Sequence, residues 1–499
     1  MARYTIGEVK IDGCYPIREI LELSMDVGVN RHGFFTYGGL ISEDAAKRYI
    51  QQNADRQVVK VSLRNELEFC GFPQVIAINH QNDHYYLRIT LVTSSLLMDT
   101  EPHDRFFQDK GQTCTNILTE AYNDSKIGIL SAMTAKDRVF KPILQYHETD
   151  WQLTLRMASN ICTVVIPNIT SEEPQVMLGV PNRQVRNENN NIVYTINRNN
   201  CEFRHKSAIF IDVDYHNFLR YNIKSHSRYK LGDSIRIEDK KFTVVQKSLE
   251  YEKGEIQEYY SLGHEQEFAF LLHQKERITG LELEGKVMIR SSQEMKILLD
   301  IDSKRKNAGE TWFSYSPVSN NGMYSMPLEN EKVMLQWQSD LDNDVLVVRP
   351  NRKNSYDMLD PGERHFLTEH ENHLMMIPNK VEYTNPVGSM QWLASRGFDI
   401  STNKNMSISA QHNVNIKSQA QVEVNSPERI TTCKAGVESS IDMISNELHI
   451  KAVKKVKATS KANKYKMTKL PERMRGFTIS AATASKLAAA IPQVSNIKK

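Results

Sequence analysis

Phe398-Asp399-Ile400, Met406-Ser407-Ile408, Val414-Asn415-Ile416 and Val422-Glu423-Val424 are apolar–polar–apolar triplets that recur every eight residues. Ala410, Ser418 and Ser426 follow the last three at a fixed offset of two. Heptads would bring apolar residues at a mean spacing of ~3.5, which is not this pattern. A period of two inside a longer repeat describes a short strand with two inward side chains, then a turn, repeated. Eight residues per repeat are too few for a full coil of a single-chain β-helix. Other chains must supply the remaining walls, and an intertwined homotrimer is the simplest arrangement. Phe398, Ile400, Met406, Ile408, Val414, Ile416, Val422 and Val424 are its candidate core. Over three chains about 24 such side chains would be buried at ~1.5–3 kcal/mol each, a gain open only to the oligomer. Register lapses at Pro427 and resumes less cleanly in Ile441-Asp442-Met443, Leu448-His449-Ile450 and Val456-Lys457-Ala458, so residues 398–460 read as one needle.

Working outward, residues 278–350 hold five short β-rich runs: Leu281–Arg290, Glu294–Ile301, Glu310–Tyr315, Lys332–Trp337 and Asp344–Arg349. Five strands in so short a block fit a small antiparallel barrel, with Trp312 and Trp337 as core or interface anchors. Residues 351–397 form a polar connector of 47 residues with Pro350, Pro361, Pro378 and Pro386 at or near its joints. Residues 1–270 read as mainly β, with strands at Gln57–Leu63 and His84–Val92. Helical spacing marks Ser42–Gln51, Thr113–Tyr122 and Asp150–Asn160. Asn-rich Arg186–Asn200 reads as a turn or loop.

The chain has 499 residues, several domains by size, with 40% hydrophobic and 25% charged residues. That balance excludes a mainly disordered chain. No apolar run reaches the ~18–20 residues that span a bilayer. Met1–Glu8 lacks the apolar core of a signal peptide, so assembly in the cytoplasm and exit by another route are expected. Cys14, Cys70, Cys114, Cys162, Cys201 and Cys433 form no Cys-x-x-Cys, which argues against zinc ribbons and dithiol centres and for buried, reduced thiols. The net charge of +3 is unevenly placed: residues 451–499 carry 13 Lys and Arg against one acid, Glu472. With 63 basic and 60 acidic residues in all, residues 1–450 carry 50 and 59, so a body of −9 bears a tail of +12.

Three motifs, in order, carry a resemblance. Gln145-Tyr146-His147-Glu148-Thr149-Asp150-Trp151-Gln152-Leu153-Thr154-Leu155-Arg156 is similar to a Y-x-E-S/T-D-x-x-F-x-x-R signature, with Tyr146, Glu148, Asp150, Trp151 and Arg156 as its marked positions. Met98-Asp99 followed by Arg105-Phe106-Phe107-Gln108 fills the places of a Leu-Asp pair and an S-F-Q-like triplet. Trp312-Phe313, Gly322-Met323-Tyr324-Ser325-Met326-Pro327 and Glu331-Lys332-Val333 resemble a W-x…G-x-x-x-x-P…G-D-E-V stretch. Together with the repeat, these resemble the VgrG family of spike proteins from type VI secretion and related contractile injection systems, over roughly residues 1–450. The usual G-D before E-V is Glu329-Asn330 here, and Asp340–Asp344 replaces a G-D-P-x-x-P element. The resemblance implies a mainly β, multidomain fold: a tail-hub region at 1–270, an OB-fold barrel at 278–350 and a trimeric β-helix at 398–460. It implies a membrane-puncturing spike that meets an Hcp-like inner tube, baseplate wedge proteins, a PAAR-like tip and an effector or adaptor at its C-terminus. The alternatives are a phage or tailocin hub-spike and, from another class, a secreted polysaccharide-binding β-solenoid.

No enzyme and no cofactor are expected. There is no Gly-rich phosphate loop, H-E-x-x-H or G-x-S-x-G, and the connector falls short of the ~50 residues of an independent domain. Glu148 and Asp150 could pair as catalytic carboxylates, but a helix start explains them through capping and the dipole. His365, His370 and His373 are candidate metal ligands, with Glu369, Glu371 and His373 sharing one face if on a strand. A solvated polar neck accounts for the same residues, and no metal is expected. In the tail, Lys461, Lys464 and Lys466 with Leu487 and Ile491 of an Ala-rich helix (Ser480–Ala490) are candidates for tip or cargo docking. Lone Tyr465 and Phe477 give no stacking array and argue against nucleic acid.

Overall fold

The computed structural model describes residues 4–452 except 14, 53–56, 110, 133–140, 188–191, 226, 238–239, 271–276, 303–308, 317–325, 351–361, 369, 434–439 and 445–446. The chain divides into two units, 1–361 and 362–499. The tail positions 461, 464, 466, 487 and 491, the Ala-rich helix, Glu369 and Gly322–Ser325 lie outside the described residues.

A thirteen-stranded sheet organises the first unit. Its main path runs Tyr194–Arg198, Leu219–Lys224, Glu255–Gly263, Lys240–Glu252, Glu19–Gly28, Phe34–Ile41, His84–Thr93, Glu66–Gln81, Val59–Leu63 and Val9–Asp12. Alternation sets the inner face: Leu23, Met25 and Val27 on one strand and Val59, Val61 and Leu63 on another are buried. The three expected helices form with side-chain caps. Ser42 accepts from Ala45 N–H at 3.3 Å before Glu43–Gln51, and Thr113 accepts from Asn116 N–H at 3.1 Å before Cys114–Ser125. The Asn-rich stretch departs from expectation. Tyr194–Arg198 is a strand, and Asn199 caps the helix Asn200–Ile209 by accepting from Glu202 N–H at 3.1 Å. Asparagine's local hydrogen bonding serves a helix start as well as a turn. Thiol burial departs too: Cys70 and Cys114 are buried, whereas Cys162, Cys201 and Cys433 are exposed.

All five strands of the small barrel are present: Glu282–Arg290, Glu294–Leu299, Trp312–Ser314, Lys332–Trp337 and Val345–Pro350. Numbered in chain order they lie 3-2-1-4-5. A parallel bridge between Tyr315 and Val347, with Ser316 N–H donating to Val347 at 2.9 Å, brings the two edges together. Trp337 is fully buried; Trp312 sits half-buried under Lys296.

The second unit opens with a five-stranded antiparallel meander, Arg364–Leu367, His373–Ile377, Lys380–Asn385, Gly388–Leu393 and Gly397–Thr402. The stretch read as a connector is thus largely sheet and runs directly into Phe398. The single-strand reading of 369–373 is corrected: Glu371 takes a left-handed φ of 58° in a turn, and the strand starts at His373. One face carries the rows Phe366, Leu374, Tyr383, Met390, Ile400 and Met376, Val381, Trp392, Phe398. Residues 403–428 form no strand within the chain. Their corners are turns built by the recurring small residues: Ser418 Oγ accepts from Ala420 and Gln421 N–H, and Ser426 Oγ from Glu428 and Arg429 N–H, at 3.2–3.4 Å. Val456-Lys457-Ala458 lies outside the described residues, and the distal part that is described takes another form. Arg429–Cys433, Ser440–Ile444 and Glu447–Lys451 form an antiparallel meander, which puts Ile441 opposite Ile450 and Met443 opposite Leu448.

Candidate functional site: the buried junction of hub and barrel

The first two motifs of the sequence meet in one place. Strands Pro102–Phe107 and Ile143–Thr149 pair antiparallel, with a bulge between Gln145 and Glu148 where His147 adopts a φ of 48°. Their side chains serve two cores in alternation. Phe106 and Leu144 belong to the barrel core, Phe107 and Ile143 to the core around Cys114–Ser125 and Asp150–Asn160. Phe106 stacks on Phe313 at 5.9 Å and meets Trp337 edge-on at 5.6 Å. Backbone polarity is satisfied across the same seam: Phe106 N–H donates to Asp302 at 3.0 Å, Gln108 Nε2 to the Ile297 carbonyl at 3.2 Å, and Thr311 Oγ1 to the Gln108 carbonyl at 2.6 Å.

Behind this seam lie two arginine-centred networks. Arg156 grips Glu148 with two hydrogen bonds, 2.9 and 2.7 Å, and donates to Asp342 at 2.7 Å and the Leu144 carbonyl at 3.0 Å. Burial alone lowers the pKa of Arg156, but the Glu148 hydrogen bonds and the charge of Asp342 outweigh it and hold that pKa above the ordinary value. Arg105 donates to Asp150 at 2.6 Å, Asp124 at 2.7 Å and Gln145 at 2.9 Å. Asp150 also accepts from Ser125 at 2.6 Å and Gln145 at 3.0 Å. Both carboxylates once weighed for catalysis are therefore occupied by structural partners. The helix Asp150–Asn160 is fixed at its start by a capping box, Thr149 with Gln152. Trp151 is buried against His32, ring centres 4.3 Å apart. His32 contacts Ser95 at 2.8 Å and Asp99 at 3.5 Å; burial lowers its pKa, and Asp99 offsets part of the shift. Tyr146 packs half-buried on the barrel core.

Several members escaped the sequence reading: Asp342, Asp302, Gln145, Asp124, Thr311 and His32. One signal pointed there, because Asp342 sits in the stretch Asp340–Asp344 where the resemblance broke. That stretch also holds the barrel's start, as Asp340 accepts from Ile278 and Thr279 N–H at 3.0 and 3.1 Å. In the second unit His365 and His373 come together, whereas His370 sits in the exposed turn before the second strand. Among the described residues no group of three or more His, Cys, Asp and Glu is placed to hold a metal ion, and no helix is long and apolar enough to cross a membrane.

No protein-family model matches the sequence, and neither does any curated protein. Solved structures match by shape, among them phage tail proteins, a type VI secretion component and PdpA–VgrG complexes. An E. coli component of the type VI secretion system, described as similar to the T4 tail proteins gp27 and gp5, is 10% identical over 68% of this chain and 99% of its own, with a TM-score of 0.49. A prophage MuSo2 tail protein from Shewanella oneidensis is 9% identical over 52% of this chain and 98% of its own, at 0.42. The lidless PdpA–VgrG complex matches at 8% identity over 79% of this chain and 97% of that one, with a TM-score of 0.50. By the last of these matches the chain has a VgrG-like fold, mainly β and built of several sheets.

Proposed function

We propose that the chain is the homotrimeric, non-enzymatic central spike of a bacterial contractile injection system, which punctures a membrane and carries cargo or a tip. One observation carries the trimer: among the described residues, the apolar rows of the second unit have no cover. Trp392 is 67% exposed, Phe398 58% and Ile416 70%, and the other needle-core candidates lie between 48% and 66%. Contiguous apolar surface of this extent marks an interaction face, and two further copies around an axis would cover it. The needle begins at Phe366 in this reading, since the meander rows lead straight into the repeat. The 3-2-1-4-5 barrel is of OB type in this reading, and the junction networks stiffen the hub that receives the inner tube. The VgrG of the matched complex binds PdpA; here a tip or effector protein would take the distal end. A phage or tailocin hub-spike shares every one of these features. The test is deletion in the producing cell. Loss of sheath and tube assembly, restored by the intact chain, is expected; full assembly and delivery without it would contradict the proposal.

A further inference from the structure

The polar face of the meander holds two imidazoles in direct contact. His365 Nδ1 and His373 Nε2 are 2.9 Å apart, with the rings 18° from parallel. They sit diagonally on neighbouring strands, His365 opposite Met375 and His373 opposite Leu367, on the face away from Phe366 and Leu374. The second nitrogen of His365, Nε2, lies 3.0 Å from Glu363 Oε2. An ionised carboxylate only accepts, so Nε2 carries the hydrogen and Nδ1 presents its lone pair to His373. A carboxylate that fixes the tautomer and orientation of an imidazole is the usual outer partner of a ligating histidine. The His365 side chain is only 11% exposed, so it is positioned before any ligand arrives.

We propose that His365 and His373 form a two-nitrogen chelate for a divalent transition metal of tetragonal preference, Cu2+ or Ni2+. Two metal–nitrogen bonds of ~2.05 Å meeting at a right angle place the nitrogens about 2.9 Å apart, whereas tetrahedral zinc needs about 3.3 Å. The observed separation matches the former. No third His, Cys, Asp or Glu converges there among the described residues, so water completes the coordination. In the metal-free pair His373 Nε2–H donates to His365 Nδ1; on binding, that hydrogen moves to His373 Nδ1 and the lone pair turns to the metal. The ion would clip the first two strands of the second unit together.

The experiment is titration of tag-free full-length protein with Cu2+ alone, followed by calorimetry and electron paramagnetic resonance. One ion per chain with two coordinated imidazole nitrogens is expected, with Ni2+ and Zn2+ binding more weakly. His365→Gln and His373→Gln should each weaken binding at least 10-fold, and Glu363→Gln ~10-fold, while His370→Gln leaves it unchanged. Should a variant misfold, the spectrum of the unaltered protein still decides. Fewer than two imidazoles in it, no binding at tenfold excess of Cu2+, or an unchanged affinity in the folded double variant would each overturn the site.

Discussion

Phe106 and Phe398 are the same residue in opposite circumstances. Phe106 is 1% exposed, held between Phe313 and Trp337 where two cores of the first unit meet. Phe398 is 58% exposed, in a row of apolar side chains that the second unit leaves bare. The described residues of the first unit close their cores within one chain, with Arg156 bonded to Glu148, Asp342 and the Leu144 carbonyl. The second unit has regular, alternating strands and well-formed turns but, among the described residues, no layer to close them. In the proposed trimer, further copies of the chain supply that layer.

The comparison can be broken most forcefully in the repeat. Ile408→Asp would bring three carboxylates together in a buried axis at a cost no local relaxation can absorb. Loss of the oligomer by native mass spectrometry is expected, with the first unit still folded by circular dichroism. In the first unit the sharpest probe is Arg156→Ala, which strands Glu148 and Asp342 in a buried seam. A loss of about 3–5 kcal/mol in urea unfolding is expected, much of it regained when Glu148 and Asp342 are also replaced by apolar residues. Ser418→Ala and Ser426→Ala remove turn hydrogen bonds and should each lower the trimer's stability by about 0.5–1.5 kcal/mol per chain. The smallest effect is a pH dependence. Burial depresses the folded-state pKa of His32 below its ordinary 6.5, so the unfolded chain takes up the proton first. Stability from this residue is full above pH 6.5 and declines as pH falls below it. His32→Gln should flatten that part of the urea-midpoint profile.

Local pattern carried much of this architecture, and distance hid the rest. The helix Asp150–Asn160 and its cap were legible because capping and periodicity operate within four residues. The barrel strands were legible from alternation. By contrast, Arg156 reaches Asp342 and Phe106 reaches Asp302 across nearly two hundred positions, and no spacing rule reports such a pair. The meander was obscured by its own turns. Pro378 and Pro386 looked like joints of a linker, yet each lies in the short hairpin turn between two strands, where a missing N–H costs nothing. The distal triplets at Ile441 and Leu448 lie on neighbouring antiparallel strands, a pairing that spacing alone does not report.

The central claim is that the second unit is completed by other copies of the chain. Native mass spectrometry of the full-length protein tests it most directly. The account predicts one dominant species at three times the 57.4 kDa chain mass, persistent on dilution. A monomer at the chain mass, with residues 364–424 folded by hydrogen exchange, would contradict it.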